Sequence, residues 1–383
     1  MKVAIMGAGI GGLALAQGLL AAGVEVAVYE RDPSPQYRKQ GYRIHISQVG
    51  EAALAAVLPD AVRRRVIATA TRPGDLVAGF DDQLTPQFEE VYPVAGPDMV
   101  TSVDRYAFRR ALMTGLDDVL RFGKQFTSYA ETRDGVEIAF ADGTSVFADV
   151  LVGADGVGSR VRGQLVPSME VVDIGVRCIY GKVPLTPAVR ELAPPAFLRG
   201  FCFASDGAGI GSAFAPVIFR EPPAEYGDYL MAVLTGTNER LGVSDDELFS
   251  MSPSELWGNV AGLVDSWHPA IGALIAAAEV EAAFPITLRT CIDVPTWSSE
   301  RVTMLGDAVH PMTPAAGAGA NTALWDAARL TQALVSGEGP AAYQREMVAN
   351  GQAMVTESLQ NAERMFNVSI SAGTPAHRST APA

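Results

Sequence analysis

Residues 1–31 read MKVAIMGAGIGGLALAQGLLAAGVEVAVYER. Val3, Ala4, Ile5 and Met6 form a continuous apolar run before a glycine cluster, the pattern of a strand buried on both faces. Ile10, Leu13, Ala14, Gln17 and Leu20 then recur at helical spacing, which predicts a helix with an apolar stripe that stops near Gly23. Val24, Val26 and Val28 alternate into a second strand ending on Glu30. In this strand-turn-helix context Gly7 permits a tight turn, Gly9 lets a pyrophosphate approach the backbone and Gly12 lets the helix pack closely. The helix offers its unpaired N–H groups and positive dipole end to phosphate. Glu30, 18 positions after Gly12, is placed to accept ribose hydroxyls and to repel a 2′-phosphate. The tightly held dinucleotide is therefore FAD or NAD rather than NADP.

The chain has 383 residues, more than one core usually supports, so two domains are expected. A net charge of −14 leaves no basic face for nucleic acid. Cys178, Cys202 and Cys291 are odd in number and widely spaced, and His45, His268, His310 and His377 are scattered. That usage fits a reducing cytosol, with neither a disulfide framework nor a metal site. The apolar start is broken by glycines and runs into Glu30, so it is not read as a signal peptide. No apolar run is long enough for a membrane span.

Asp32 to Gln40 reads as a surface loop, Gly41 to Ser47 as a strand with Arg43 and His45 on one face, and Gly50 to Leu58 as a helix stopped by Pro59. The Arg43 and His45 face is either solvated or turned to a bound cofactor. Pro73 to Pro97 looks like an excursion in the form of a hairpin. Ser102 or Asp104 caps a helix running to about Leu116. Arg105 in its first turn opposes the helix dipole, which calls for an anionic partner such as phosphate. Val136 to Phe140 and Ser145 to Val152 form a hairpin about Asp142-Gly143 and lead into LVGADGVGSRVR, residues 151–162. There Asp155 at a strand end serves either as a cap or as a ligand contact.

From Val171 to Phe284, short alternating stretches (Val176 to Val183, Phe197 to Ala204, Gly209 to Phe219, Tyr229 to Leu234) predict an antiparallel sheet with one face open to a ligand. Helices follow around Asp245 to Ser250, Ser254 to Ser266 and Ala270 to Ala278. Tyr180, Phe201, Phe203, Phe214 and Trp267 supply aromatic surface for either a core or a planar substrate. Arg301 to Leu305 is another apolar strand, and Asp307 follows its end. Pro311 and Pro314 stiffen the next loop before Gly317, Gly319 and Asn321 introduce a helix from about Thr322. His310 is read as a turn-shaping residue or a general base. A helix from Pro340 to about Phe366 closes the fold, and Ser371 to Ala383 reads as a disordered tail.

Three motifs occur in order: Gly7 to Gly12 with Glu30, Asp155-Gly156 within GADGVGSR, and Gly306-Asp307 within LGDAVHP. On these the chain resembles the single-component FAD-dependent aromatic hydroxylases, the family of para-hydroxybenzoate hydroxylase and the small tetracycline-inactivating monooxygenases. The resemblance implies an α/β fold: a Rossmann-like FAD-binding domain (1–72, 98–170 and 285–336), an inserted antiparallel-sheet substrate domain (73–97 and 171–284) and a C-terminal helix (337–370). It implies cofactor contacts from Gly7, Gly9, Ile10, Gly11, Gly12, Glu30, Arg31, Arg43, Arg105, Asp155, Gly156, Gly306, Asp307, Pro314, Gly317, Gly319, Ala320 and Asn321. Within that set Glu30 holds the adenosine ribose, Arg105 the phosphate region and Asp307 the ribityl and pyrophosphate portion, while 317–321 line the flavin ring. Arg43 and His45 are the catalytic candidates, and Tyr180, Phe201, Phe203 and Phe214 the substrate candidates. TPAAGAGAN from Thr313 departs from the Pro-Pro and Gly-Gln-Gly often found in the family. The Trp-x-Trp-x-Ile-Pro signature of flavin halogenases is absent, as is a thioredoxin-like extension.

The implied activity is hydroxylation of an aromatic or polyketide-like molecule through a peroxyflavin, with bound FAD, transient NADPH or NADH, and O2. The alternatives are Baeyer-Villiger or epoxidising chemistry on the same cofactor, or a flavin-binding redox module without turnover.

Overall fold

The computed structural model describes residues 1–37, 41–225 and 227–370. A five-stranded parallel sheet is ordered Val302–Met304, Val150–Gly153, Lys2–Met6, Glu25–Tyr29, Leu120–Arg121. Met6 is in register with Tyr29 on one side and Gly153 on the other, and Gly153 with Met304. Four strands thus end on one line, and the loops leaving them carry Gly7, Glu30, Asp155 and Asp307. The helix Ile10–Ala21 is buried nearly all round rather than along one stripe. It is sandwiched against the helices Gln48–Val57, Arg105–Leu112 and Gly319–Ser336, so no face is left for solvent.

The alternating middle region builds a seven-stranded sheet in the order Glu279–Cys291, Val171–Pro184, Tyr229–Thr237, Gly211–Val217, Gly200–Ser205, Leu76–Asp81, Pro86–Val91. The hairpin expected within Pro73 to Pro97 supplies the last two strands, and Leu76–Asp81 runs parallel to Gly200–Ser205. Glu279–Cys291 was not foreseen. It carries Pro285, which an edge strand tolerates because only one side must pair. A three-stranded antiparallel sheet joins Val136–Phe140 and Ser145–Ala148 to a third strand, Phe126–Glu131, also unforeseen.

Period-two alternation gives the seven-stranded sheet two unlike faces. Cys202, Ala204 and Phe214 pack with Trp257 and Trp267 on one. Tyr180, Phe201, Phe203, Tyr229 and Phe284 gather with Tyr42, Ala315, Ala362 and Phe366 on the other. The second face therefore looks toward the loops of the parallel sheet. The helix Pro340–Phe366 connects both layers: the Tyr343 hydroxyl donates to the Met304 carbonyl at 3.0 Å, while Ala362 and Phe366 reach the aromatic face. Residues 371–383, expected to form a tail, lie outside the described residues.

All three cysteines are free and buried. Among the described residues no group of three potential metal ligands occurs, and no helix is long and apolar enough to cross a membrane.

Candidate cofactor and substrate site

Gly7 adopts φ +108°, and a Cβ there would stand 2.3 Å from the Ala154 carbonyl oxygen. The turn therefore seats one strand end directly on its neighbour. A Cβ on Gly12 would lie 2.2 Å from the Gly7 oxygen, so this glycine closes the helix onto the turn. Gly11 packs the same helix against Leu305 and the 319–336 helix, where a Cβ would meet Leu305 Cδ1 at 2.6 Å and Ala323 Cβ at 3.3 Å. Gly9 differs: a Cβ there would meet nothing within 4 Å. As N-cap it provides no side-chain cap, leaving Ile10 and the first-turn N–H groups directed at open space.

The Glu30 carboxylate accepts from the Ala8 N–H at 2.9 Å and the Asp32 N–H at 3.0 Å, and Arg109 Nη2 lies 3.7 Å away. Arg31 beside it is exposed. Asp32, assigned by the sequence to a surface loop, is buried because that contact folds it inward. Arg109 was missed. It donates to the Ala8 carbonyl at 2.8 Å and the Pro35 carbonyl at 3.1 Å, holding the phosphate turn against the Glu30 loop. Its one legible signal is a charge placed beside Phe108 on the inward side of an amphipathic helix.

The Asp155 carboxylate accepts from Ser159 Oγ at 2.5 Å and the Arg160 N–H at 2.8 Å. Ser159 caps the helix Arg160–Leu165 by accepting from the Arg162 N–H at 2.9 Å, Asp155 braces its first turn, and Gly156 makes the left-handed turn that follows Asp155. Arg162 ties this motif to the next by donating to the Val157 carbonyl at 2.6 Å and the Ala308 carbonyl at 3.0 Å. Sequence reasoning missed that link too. Asp307 remains open to solvent although protein crowds it. That crowding raises its carboxyl above the ordinary range, while His310, Arg105 and Arg162 pull the other way. Gly319 is adjacent, a Cβ there lying 3.9 Å from Asp307 Oδ1, at the start of the helix Gly319–Ser336.

Asp104 rather than Ser102 caps the helix that Arg105 opens, accepting from the Ala107 N–H at 2.8 Å. The Arg105 guanidinium lies over the Tyr42 ring at 5.7 Å and makes no ion pair among the described residues. The short strand Arg43–His45 pairs with Ser102–Asp104. Burial pushes the Arg43 guanidinium down to about 10, and no carboxylate pairs with it among the described residues. Burial and then Arg43 lower the His45 imidazole, against a bond to the Thr101 backbone. Asn321 donates to the His45 and Gly317 carbonyls at 3.0 Å and accepts from the Ser47 N–H at 2.9 Å, lashing this strand to the 319–336 helix. Pro314 begins a one-turn helix that ends at Gly317 in a left-handed conformation, and Ala320 lies in the first turn beyond.

Tyr180 stacks on Phe284 at 5.3 Å and lies 5.0 Å from Tyr42, on the face that Phe201 and Phe203 share. Phe214 is not brought to that face. It pairs across the sheet with Cys202 and stacks on Phe197 at 4.6 Å in the opposite core. Three strand spacings, about 14 Å, separate the Glu30 strand from the one leading to Asp307. The open turn at Gly9, the Glu30 carboxylate and the cations Arg43 and Arg105, without an ion-pair partner among the described residues, fit an anionic dinucleotide laid across these strand ends.

The family model described as FAD binding domain matches residues 1–358. The chain is 33% identical to a dual O-methyltransferase/FAD-dependent monooxygenase of Cercospora beticola, over 95% of this chain but only 46% of that protein. It thus spans less than half the length of that relative. It is 30% identical to 6-hydroxynicotinate 3-monooxygenase of Pseudomonas fluorescens, covering 87% of this chain and 82% of that one. Among solved structures, a protein described as an FAD containing monooxygenase from Photorhabdus luminescens superposes with a TM-score of 0.84 at 31% identity, covering 96% of this chain and 99% of that chain.

Proposed function

The chain belongs to the single-component FAD-dependent monooxygenase family, and from that premise we propose that it hydroxylates an aromatic or polyketide-like small molecule with NADH or NADPH and O2. The observation that carries the proposal is the shared line of strand ends bearing Gly9, Glu30 and Asp307, with an aromatic sheet face turned toward it. When bound, FAD supplies electron transfer from the nicotinamide and oxygen transfer from O2 to the substrate, the second oxygen leaving as water.

The protein binds, orients and excludes water. The 10–21 helix terminus holds the pyrophosphate, Glu30 the adenosine ribose, and Asp307 with Arg105 the middle of the cofactor. Residues 1–72, 98–170 and 292–336 form the cofactor domain, and 73–97 with 171–291 the substrate domain, closed by 337–370; the boundary expected at 285 moves because the strand Glu279–Cys291 belongs whole to the seven-stranded sheet. Tyr42, Tyr180, Phe201, Phe203 and Phe284 form a wall on which a planar substrate stacks. Burial and Arg43 lower the His45 imidazole, which favours the neutral ring whose free nitrogen can take a proton from a substrate hydroxyl.

Asp307→Ala removes a charge-assisted hydrogen bond worth about 1.5–3 kcal/mol, so FAD affinity should fall roughly ten- to a hundredfold. Flavin fluorescence titration reads this, and an unchanged affinity would remove Asp307 from the site. The reaction is tested by screening hydroxylated aromatic acids and polyketide-like phenols for stimulated nicotinamide oxidation under 18O-labelled oxygen. Label in the product is expected; a product without it would refute oxygen transfer.

A further inference from the structure

We propose that the buried His310–Asp326 pair is a positioning device for the cofactor, linking protonation of one imidazole to the grip of the Gly306–Asp307 turn. This inference rests on the assignment of FAD to that turn.

Both side chains are wholly excluded from solvent. A single oxygen, Asp326 Oδ2, meets His310 Nε2 at 2.7 Å and accepts from the Gly306 N–H at 2.8 Å. The His310 backbone N–H returns to the Gly306 carbonyl at 3.0 Å. Ring and backbone of one residue therefore converge on the glycine immediately before Asp307. Gly306 takes φ +59° against the same helix, where a Cβ would stand 3.0 Å from Ala323 Cβ. From the other side Gly351 presses on the imidazole, a Cβ there lying 2.9 Å from His310 Cδ2. By distance and angle Asp326 Oδ1 and His310 Nδ1 have no hydrogen-bond partner among the described residues; the Tyr343 hydroxyl, which donates to the Met304 carbonyl, faces the Asp326 carboxylate. An ion pair buried with two unsatisfied atoms is a poor source of stability compared with apolar packing, which points to a positioning task.

The groups facing the pair come from every element around it. Asp307 lies on its own turn and Tyr343 on the 340–366 helix, while Cys291 on the strand reaching Pro311, Arg105 and Arg162 act on Asp307. Burial pushes Cys291 up to about 12 and Tyr343 well above the ordinary range, so both stay neutral. Burial is the largest single influence and lowers His310, but the Asp326 carboxylate, joined by Asp307 and a backbone hydrogen bond, raises the imidazole on balance. As imidazolium, His310 neutralises Asp326. Its deprotonation leaves an uncompensated carboxylate behind Gly306, adding negative potential beside Asp307 and the anionic pyrophosphate. FAD binding then weakens as pH rises through the elevated His310 value.

The test titrates FAD into the wild-type apoprotein, His310→Gln and Asp326→Asn from about pH 6 to about pH 9, a range that spans histidine titration. Flavin fluorescence gives the dissociation constant, and the thermal midpoint of each apoprotein is followed alongside. The wild-type constant is expected to rise at least about tenfold, a change equivalent to roughly one pKa unit of coupling. His310→Gln should bind more weakly at the acid end and lose the slope. A merely structural pair would lower the thermal midpoint and leave the slope in place, and that result overturns the inference, as does a flat wild-type profile. If Asp326→Asn fails to fold, the wild type and His310→Gln decide. No FAD binding by the wild type at any pH would overturn the functional reading and this inference with it, whereas binding without the slope overturns the inference alone.

Discussion

Arg177→Ala is expected to destabilise the chain by about 3–5 kcal/mol, the cost of breaking a buried charge network at one partner. Arg177 is 1% exposed on the strand Val171–Pro184. Its guanidinium reaches Asp173 through Nη1 and Nη2, each at 2.8 Å, and Asp245 through Nε and Nη2, each at 2.7 Å. Asn238 adds a bond to Asp245 at 2.7 Å. Truncation removes the cation from two carboxylates, one of them on the buried Asp173. Equilibrium urea unfolding measures the loss, and a change below about 1 kcal/mol, the scale of an exposed ion pair, would contradict the account. The network fixes the helix Asp245–Ser250 to the sheet on elements that carry none of the cofactor contacts. FAD affinity of the folded variant should therefore stay near wild type.

Gly7→Ala is expected to abolish cofactor loading. A methyl at φ +108° costs about 1–3 kcal/mol in backbone strain before any contact is considered. The added carbon would also stand 2.3 Å from the Ala154 carbonyl oxygen, and only separation of the two central strands relieves that. More than about a hundredfold loss of FAD affinity should accompany a lower melting temperature, since each 1.4 kcal/mol is tenfold. Gly9→Ala is the informative partner. Its Cβ meets nothing in the protein within 4 Å, so stability should hold while affinity falls, because the methyl intrudes only on the space proposed for the pyrophosphate. Wild-type affinity in either variant would contradict the placement of the phosphate turn.

The parts of the fold written in local pattern were legible in the sequence. The apolar run into Gly7, the alternation into Glu30 and the helix closing the chain all depend on neighbours in sequence. What escaped depends on partners distant in the chain. Phe126–Glu131 exposes most of its side chains, so it shows little alternation, and Glu279–Cys291 hides behind Pro285. The face that Phe214 occupies follows from its register with Cys202, which no local pattern encodes. At the site, Glu30 and Asp307 could be named because each follows an apolar strand. Arg109, Arg162 and Asp326 could not, since each acts on backbone carried by a remote loop.

The central claim is that one FAD lies across the ends of these parallel strands, and releasing the bound chromophore tests it most directly. Purified protein is denatured, and the supernatant is resolved by chromatography against FAD, FMN and NAD standards. The account predicts FAD, approaching one molecule per chain when the preparation is saturated with it. FMN, NAD or no dinucleotide from a folded, FAD-saturated preparation would contradict it.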